Sequence, residues 1–152
     1  MNEKSTEHAT FTIEREYGAE PERVFGAWAD AEAKGRWFGP RSDGGPGIEM
    51  EFTVGGHERF VVTGPDGARY SYDATYMDIV AEQRIVYVYE MFRGDDRLSV
   101  SVTTVEIAPS GSGTKLTYTE QGVFLDGRDT AAQREHGTRA MLGGIDGALV
   151  AA

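Results

Sequence analysis

The chain has no cysteine, and that absence removes disulfides, thiol catalysis and cysteine-based zinc sites together. Histidine is scarce: His8, His57 and His136 stand far apart, and no two have metal-ligand spacing, so no metal is expected. Basic residues are also few. Against 25 acidic residues there are 15 basic ones, a net charge of -10, which repels a nucleic-acid backbone. No apolar run approaches the ~20 residues needed to span a membrane. Met1–Thr10 is polar and lacks the apolar segment of a secretory signal, so a cytoplasmic location is expected. The glycines Gly44, Gly45 and Gly47 precede a strand pattern rather than a helix, so they do not form a phosphate-binding loop. No Ser-His-Asp arrangement carries a local signature, and no cofactor is implied.

What is present is ordinary for one folded domain: 152 residues, 39% hydrophobic and 26% charged. Residues 1–8 read as a loose tail and residues 9–152 as a single domain. The stretch Asp129–Ala152 organises the remainder. Thr130 and Gln133 have capping-box spacing at a helix start. Thr138, Met141, Leu142, Ile145, Ala148, Leu149 and Ala152 recur at intervals of three and four, and Arg134 falls on the same stripe one turn earlier. This helix carries Gly137, Gly143, Gly144 and Gly147, each costing about 0.5–1 kcal/mol relative to alanine, so it needs a broad apolar surface to lie on.

The preceding residues supply that surface. Thr10–Tyr17 alternates as a half-buried strand. Pro21 suits a first helical position, Val24, Phe25 and Trp28 give a short amphipathic helix, and Asp30 can cap a second one ending near Gly35. Trp37 and Phe38 are followed by the breaker Gly39-Pro40 and a Gly-rich loop at 41–47. Six strand patterns come next. Ile48 to Val54 and His57 to Thr63 flank Gly55-Gly56, which reads as a two-residue hairpin turn. Ala68 to Val80 and Ile85 to Met91 alternate with tyrosines on one face. Leu98, Val100 and Val102 alternate until the phase slips at Thr103-Thr104, which suggests a β-bulge there. Leu116, Tyr118 and Glu120 share one face of the last strand. The expected fold is α+β: a curved antiparallel sheet of about six or seven strands wrapped around a long C-terminal helix, with two short helices after strand 1.

The run Pro21-Glu-Arg-Val-Phe-Gly-Ala-Trp28, Asp30, Trp37-Phe38-Gly-Pro40, Gly55-Gly56, Ala81-Glu-Gln-Arg-Ile-Val-Tyr87 and Glu135-His-Gly137 resembles the SRPBCC (START-like) superfamily. Within it, the chain is most similar to the branch named after the activator of the heat-shock-protein-90 ATPase, also described as polyketide cyclase-like. The resemblance spans roughly residues 9–150. It implies a helix-grip fold with a deep apolar cavity between sheet and helix. It implies less about function, because this fold hosts many unrelated activities. Glu120 and Thr138 depart from the family pattern, in which many relatives carry His and Trp at those positions.

Alternation turns Tyr70, Tyr72, Tyr76, Tyr87, Tyr89 and Tyr118 toward the concave side, either as a ring-lined ligand pocket or as plain core packing. Glu120 and Arg134 point into the same space. They read as a polar anchor for a ligand, as a general acid/base, or as an ion pair tying helix to sheet; the structural ion pair is the favoured reading. Trp37 and Phe38 either gate the cavity or plug the open end of the sheet. Thr138 and Met141 complete the candidate set from the helix. The resulting expectation is a protein without an evident catalytic constellation that binds a small apolar or aromatic molecule. One alternative is a cyclase- or hydrolase-like enzyme using Glu120; another is a module that interacts with a chaperone. Neither nucleic acid nor membrane is expected as a partner. A homodimer through an edge strand is compatible with the outward face of the sheet.

Overall fold

Alternating burial along the first strand sets the geometry of everything after it. In this computed structural model, which describes residues 3–38 and 47–150, β1 (Thr6–Tyr17) buries Phe11, Ile13 and Tyr17 and leaves Thr12, Glu14 and Glu16 exposed. The strand starts earlier than the sequence suggests. Thr6–His8, read as part of a loose tail, pair with Leu125–Val123 of β7 (Gly113–Leu125). Asp126 closes this end: its backbone N–H donates to the Ser5 carbonyl, and its carboxylate accepts from the Ser5 N–H at 3.0 Å.

Pro21 opens α1 (Pro21–Ala29), which buries Val24, Ala27 and Trp28. Asp30 caps α2 (Ala31–Lys34) by accepting the Ala33 N–H at 3.0 Å. The breaker Gly39-Pro40 and the predicted loop, apart from Gly47, lie outside the described residues. The remaining strands are β2 (Glu49–Met50), β3 (His57–Thr63), β4 (Arg69–Val80), β5 (Arg84–Arg93) and β6 (Asp96–Ser110). With β1 and β7 they form one antiparallel seven-stranded sheet in the order β1-β7-β6-β5-β4-β3-β2. The last helix, α3 (Ala131–Val150), lies across the sheet's concave face in a helix-grip arrangement, with Leu142, Ile145, Ala148 and Leu149 turned into the core.

Two local expectations are corrected. Gly55-Gly56 is not a two-residue hairpin, because β2 is only two residues long and residues 51–56 form a wider loop. That loop is held by bonds from the Gly56 N–H to the Thr53 carbonyl and from the Gly55 N–H to the Tyr76 carbonyl. A Cβ on Gly56 would sit 2.2 Å from the Glu51 carbonyl oxygen, so this close turn requires glycine. The bulge in β6 is not at Thr103-Thr104. Register is continuous there, and the extra residue is Leu98, between the pairs Met91↔Ser99 and Phe92↔Arg97. In consequence Ser99, Ser101, Thr103, Val105 and Ile107 face inward while Val102 is exposed, the reverse of a simple hydrophobic phase. A second bulge, at Met77 in β4, was not anticipated.

The start of α3 keeps half of its predicted capping box. The Gln133 N–H donates to Thr130 Oγ1 at 3.2 Å, but the Thr130 N–H is taken by Asp129 rather than by the Gln133 side chain. Gly143 also has a packing role: the Arg15 guanidinium of β1 lies 3.3 Å from where its Cβ would be and reaches Asp146 at 3.5 Å. Tyr17 donates to the Leu142 carbonyl at 2.8 Å, fixing helix to strand.

Since Ile145 is completely buried beneath the sheet, Ile145→Ala should cost about 2–5 kcal/mol. Denaturant unfolding should show a lower midpoint with an unchanged slope.

Candidate functional site

Between the first half of α3 and the concave face of the sheet lies a cavity of about 360 Å³. The sheet side contributes Phe60, Tyr72, Tyr87, Tyr89, Met91 and Tyr118; Phe38 closes one wall, and α3 contributes Arg134, Gly137, Thr138 and Met141. The aromatic wall is continuous. Phe60 stacks on Tyr72 with ring centres 4.9 Å apart, Phe38 meets Tyr72 edge-on at 5.2 Å, and Tyr89 lies 5.1 Å from Tyr72 on its other side. Such contacts hold the rings rigidly.

One end of the cavity is polar. Glu120 of β7 is fully buried and is not itself part of the lining. Its carboxylate accepts from Tyr89 at 2.7 Å, Ser101 at 2.7 Å, Tyr118 at 2.8 Å and Arg134 at 3.3 Å. Arg134 further donates to the Tyr89 hydroxyl at 2.8 Å, Ser99 at 2.8 Å and Asp129 at 2.7 Å. Burial opposes the Arg134 charge, but Tyr89, Glu120 and Asp129 outweigh it and raise its pKa, so the guanidinium is charged. The ion pair inferred from sequence therefore exists, extended by Asp129, two serines and two tyrosines.

A second buried pair sits beside Phe38. Lys34 of α2 contacts Glu58 of β3 at 2.7 Å, both almost entirely shielded from water, and Tyr76 donates to the same Glu58 oxygen. The Lys34 ammonium lies 4.4 Å from the centre of the Phe38 ring and 5.6 Å from that of Tyr87. Burial lowers the Lys34 pKa, and Glu58 partly offsets this. Among the described residues, the other Glu58 oxygen and the Tyr72 hydroxyl find no hydrogen-bond partner.

Of the residues singled out from sequence, Phe38, Tyr72, Tyr87, Tyr89, Tyr118, Arg134, Thr138 and Met141 line the cavity. Trp37 and Tyr76 do not. Trp37 packs 4.6 Å from Trp28 and donates to the Ala27 carbonyl, while Tyr76 is held by Glu58. Tyr70 also lies outside the lining, bonded to Asp66 in the β3–β4 turn. Sequence reasoning missed Phe60, Met91, Asp129, Gln133 and the Lys34–Glu58 pair. Strand alternation placed Glu58 and Phe60 on one face and could have found both. Nothing local marks Lys34 as buried. Among the described residues no group of three or more His, Asp or Glu side chains could hold a metal ion, and no helix is long and apolar enough to cross a membrane.

The model of one protein family, described as Activator of Hsp90 ATPase homolog 1-like protein, matches residues 18–149. Solved structures are similar over nearly the whole chain. A protein from Rhizobium leguminosarum is 42% identical, with a TM-score of 0.92 over 98% of this chain and 99% of that one. Mll3558 from Rhizobium loti is 48% identical, with a TM-score of 0.87 over 95% and 99%. An AHSA1-like protein from Aeromonas hydrophila is 24% identical, with a TM-score of 0.71 over 94% and 93%, and shares the fold. None of the curated proteins matches.

Burial raises the pKa of Tyr17, Tyr72, Tyr76, Tyr87, Tyr89 and Tyr118. Above about pH 10 the unfolded chain therefore sheds phenolic protons that the fold retains, and stability falls by about 1.4 kcal/mol per pH unit for each such group. Lys34 works the other way, since its lowered pKa makes stability rise as pH climbs toward about 10.4, but it is one group against six. Alkaline titration should show tyrosinate absorbance from these six appearing together with loss of circular dichroism. At the polar end, Arg134→Met should cost about 3–5 kcal/mol by stranding Glu120, and Glu120→Gln should cost less because Asp129 still pairs with Arg134. The double variant should cost clearly less than the sum, as measured by denaturant unfolding.

Proposed function

We propose that this chain, a member of the Activator of Hsp90 ATPase homolog 1-like family, binds a small apolar or aromatic molecule between its sheet and its last helix. The observation that carries the reading is the ring-walled cavity of about 360 Å³ with polar groups gathered at one end. Its size lies within the range of about 300–1,000 Å³ typical of small-molecule sites. The rings of Phe60, Tyr72 and Tyr89 offer faces and edges to a flat ligand, and Arg134 and Thr138 border it from the helix. Met91 and Met141 add deformable thioether surface that tolerates variation in ligand shape.

The geometry favours binding over general acid–base chemistry at Glu120. That carboxylate is withdrawn behind the wall, and its oxygens already receive three hydroxyls and a guanidinium. A proton-transferring group must reach the substrate directly or through one water.

The test is native mass spectrometry of freshly purified protein, followed by denaturation and small-molecule analysis, with a thermal-shift screen of aromatic compounds alongside. Wild-type protein should carry a bound compound or gain several degrees with at least one aromatic ligand. Met141→Trp, which fills the cavity from the helix side, should retain the fold by circular dichroism and lose both signals. A wild-type protein that is empty and indifferent to every compound would overturn the reading.

A further inference from the structure

The polar end of the cavity has a charge balance that bears on what can occupy it. One guanidinium, Arg134, faces two carboxylates, Glu120 and Asp129. Four of its five N–H groups are committed, to Tyr89, Glu120, Ser99 and Asp129. Of the lining tyrosines, Tyr89 and Tyr118 both donate to Glu120 and so offer only lone pairs to any other group. The N-terminus of α3 is the other place where an anion would be welcome, yet most of its first turn is occupied. The Thr130, Ala131 and Gln133 N–H groups go to Asp129, Glu7 and Thr130. A net charge of -10 on the whole chain further lowers the local concentration of anions.

A carboxylate entering this cavity meets two carboxylates against one guanidinium, and to draw Arg134 toward itself it would have to weaken the bonds that neutralise Asp129 or Glu120. Like charges in a desolvated site are strongly disfavoured. A hydroxyl or ammonium group meets the opposite situation, with acceptor oxygens on Asp129 at the rim and on the tyrosines within. The Tyr72 hydroxyl, buried and without a partner among the described residues, can accept as well as donate on the ring wall.

Resting on the cavity-binding reading above, we propose that the site selects neutral or cationic aromatic ligands bearing an N–H or O–H donor and excludes carboxylates. Asp129 is the residue that sets this selection.

Three probes with one skeleton test it: naphthalene methylamine, naphthalene methanol and naphthalene carboxylate, titrated by calorimetry against the whole chain at neutral pH. The amine and the alcohol should bind, and the carboxylate should bind about tenfold or more weakly. Asp129→Asn retains an oxygen for the Thr130 N–H and removes the charge; it should narrow the gap between carboxylate and alcohol by about tenfold. A carboxylate that binds wild type as well as the alcohol does would overturn the proposal and leave the cavity-binding reading standing. An unchanged gap in Asp129→Asn, with the fold intact, would overturn the assignment to Asp129. Failure of the amine and the alcohol to bind would overturn the selectivity, and the cavity-binding reading falls with it only if the purified protein is also empty and indifferent to the aromatic screen.

Discussion

The Glu120 carboxylate is the point to which the rest of this structure is tied. It is fully buried, and a buried charge is tolerable only with a complete set of partners. Those partners come from three other elements: Tyr89 from β5, Ser101 from β6 and Arg134 from α3. Satisfying one carboxylate therefore fixes the spacing of three strands and the rotation of the helix above them. It also explains the inverted face of β6 near the network, where Ser99, Ser101 and Thr103 point inward and Val102 outward. Ser99 and Ser101 are needed inside to hold Arg134 and Glu120.

The same network shapes the cavity. The hydroxyls of Tyr89 and Tyr118 are drawn toward Glu120, so that polar end of the ring wall is anchored and apolar ring surface is left over the remaining space. On the Phe38 side, the Lys34–Glu58 pair gathers Tyr76 and lies against the rings of Phe38 and Tyr87. Two buried ion pairs thus bracket the aromatic wall. Closing this space by collapse would require moving rings that are held both by edge-to-face contacts and by charge-assisted bonds. A cavity persists here because its walls are restrained by polar groups that cannot relax cheaply.

The glycines of α3 fit this picture. They weaken the helix in isolation, but Gly143 admits the Arg15 guanidinium, and Tyr17 anchors the helix backbone at Leu142. The helix is therefore stable as part of the grip, where packing and bonds to the sheet replace intrinsic propensity.

Much of this was legible in the residues alone. Period-two alternation with turn residues between marked the strands, and intervals of three and four marked α3, because both periodicities follow directly from backbone geometry. The inward direction of Glu120, Arg134 and most of the tyrosines follows from the same rule. What depended on tertiary structure was anything requiring a choice between two local solutions. β6 had two possible phases, and the bulge at Leu98 selected the one that suits Glu120. Lys34 and Glu58 are 24 positions apart on a helix and a strand, and only the fold could make a buried pair of them. Whether the inward tyrosines packed solidly or left a cavity was also settled in three dimensions, since ring direction depends on hydroxyl partners from other elements. The sequence by itself thus determined most of the elements and, β6 apart, their buried faces, through short-range periodicity. The tertiary structure alone decided register, ion-pair partnership and empty volume, because these arise from contacts between residues that are distant in the chain.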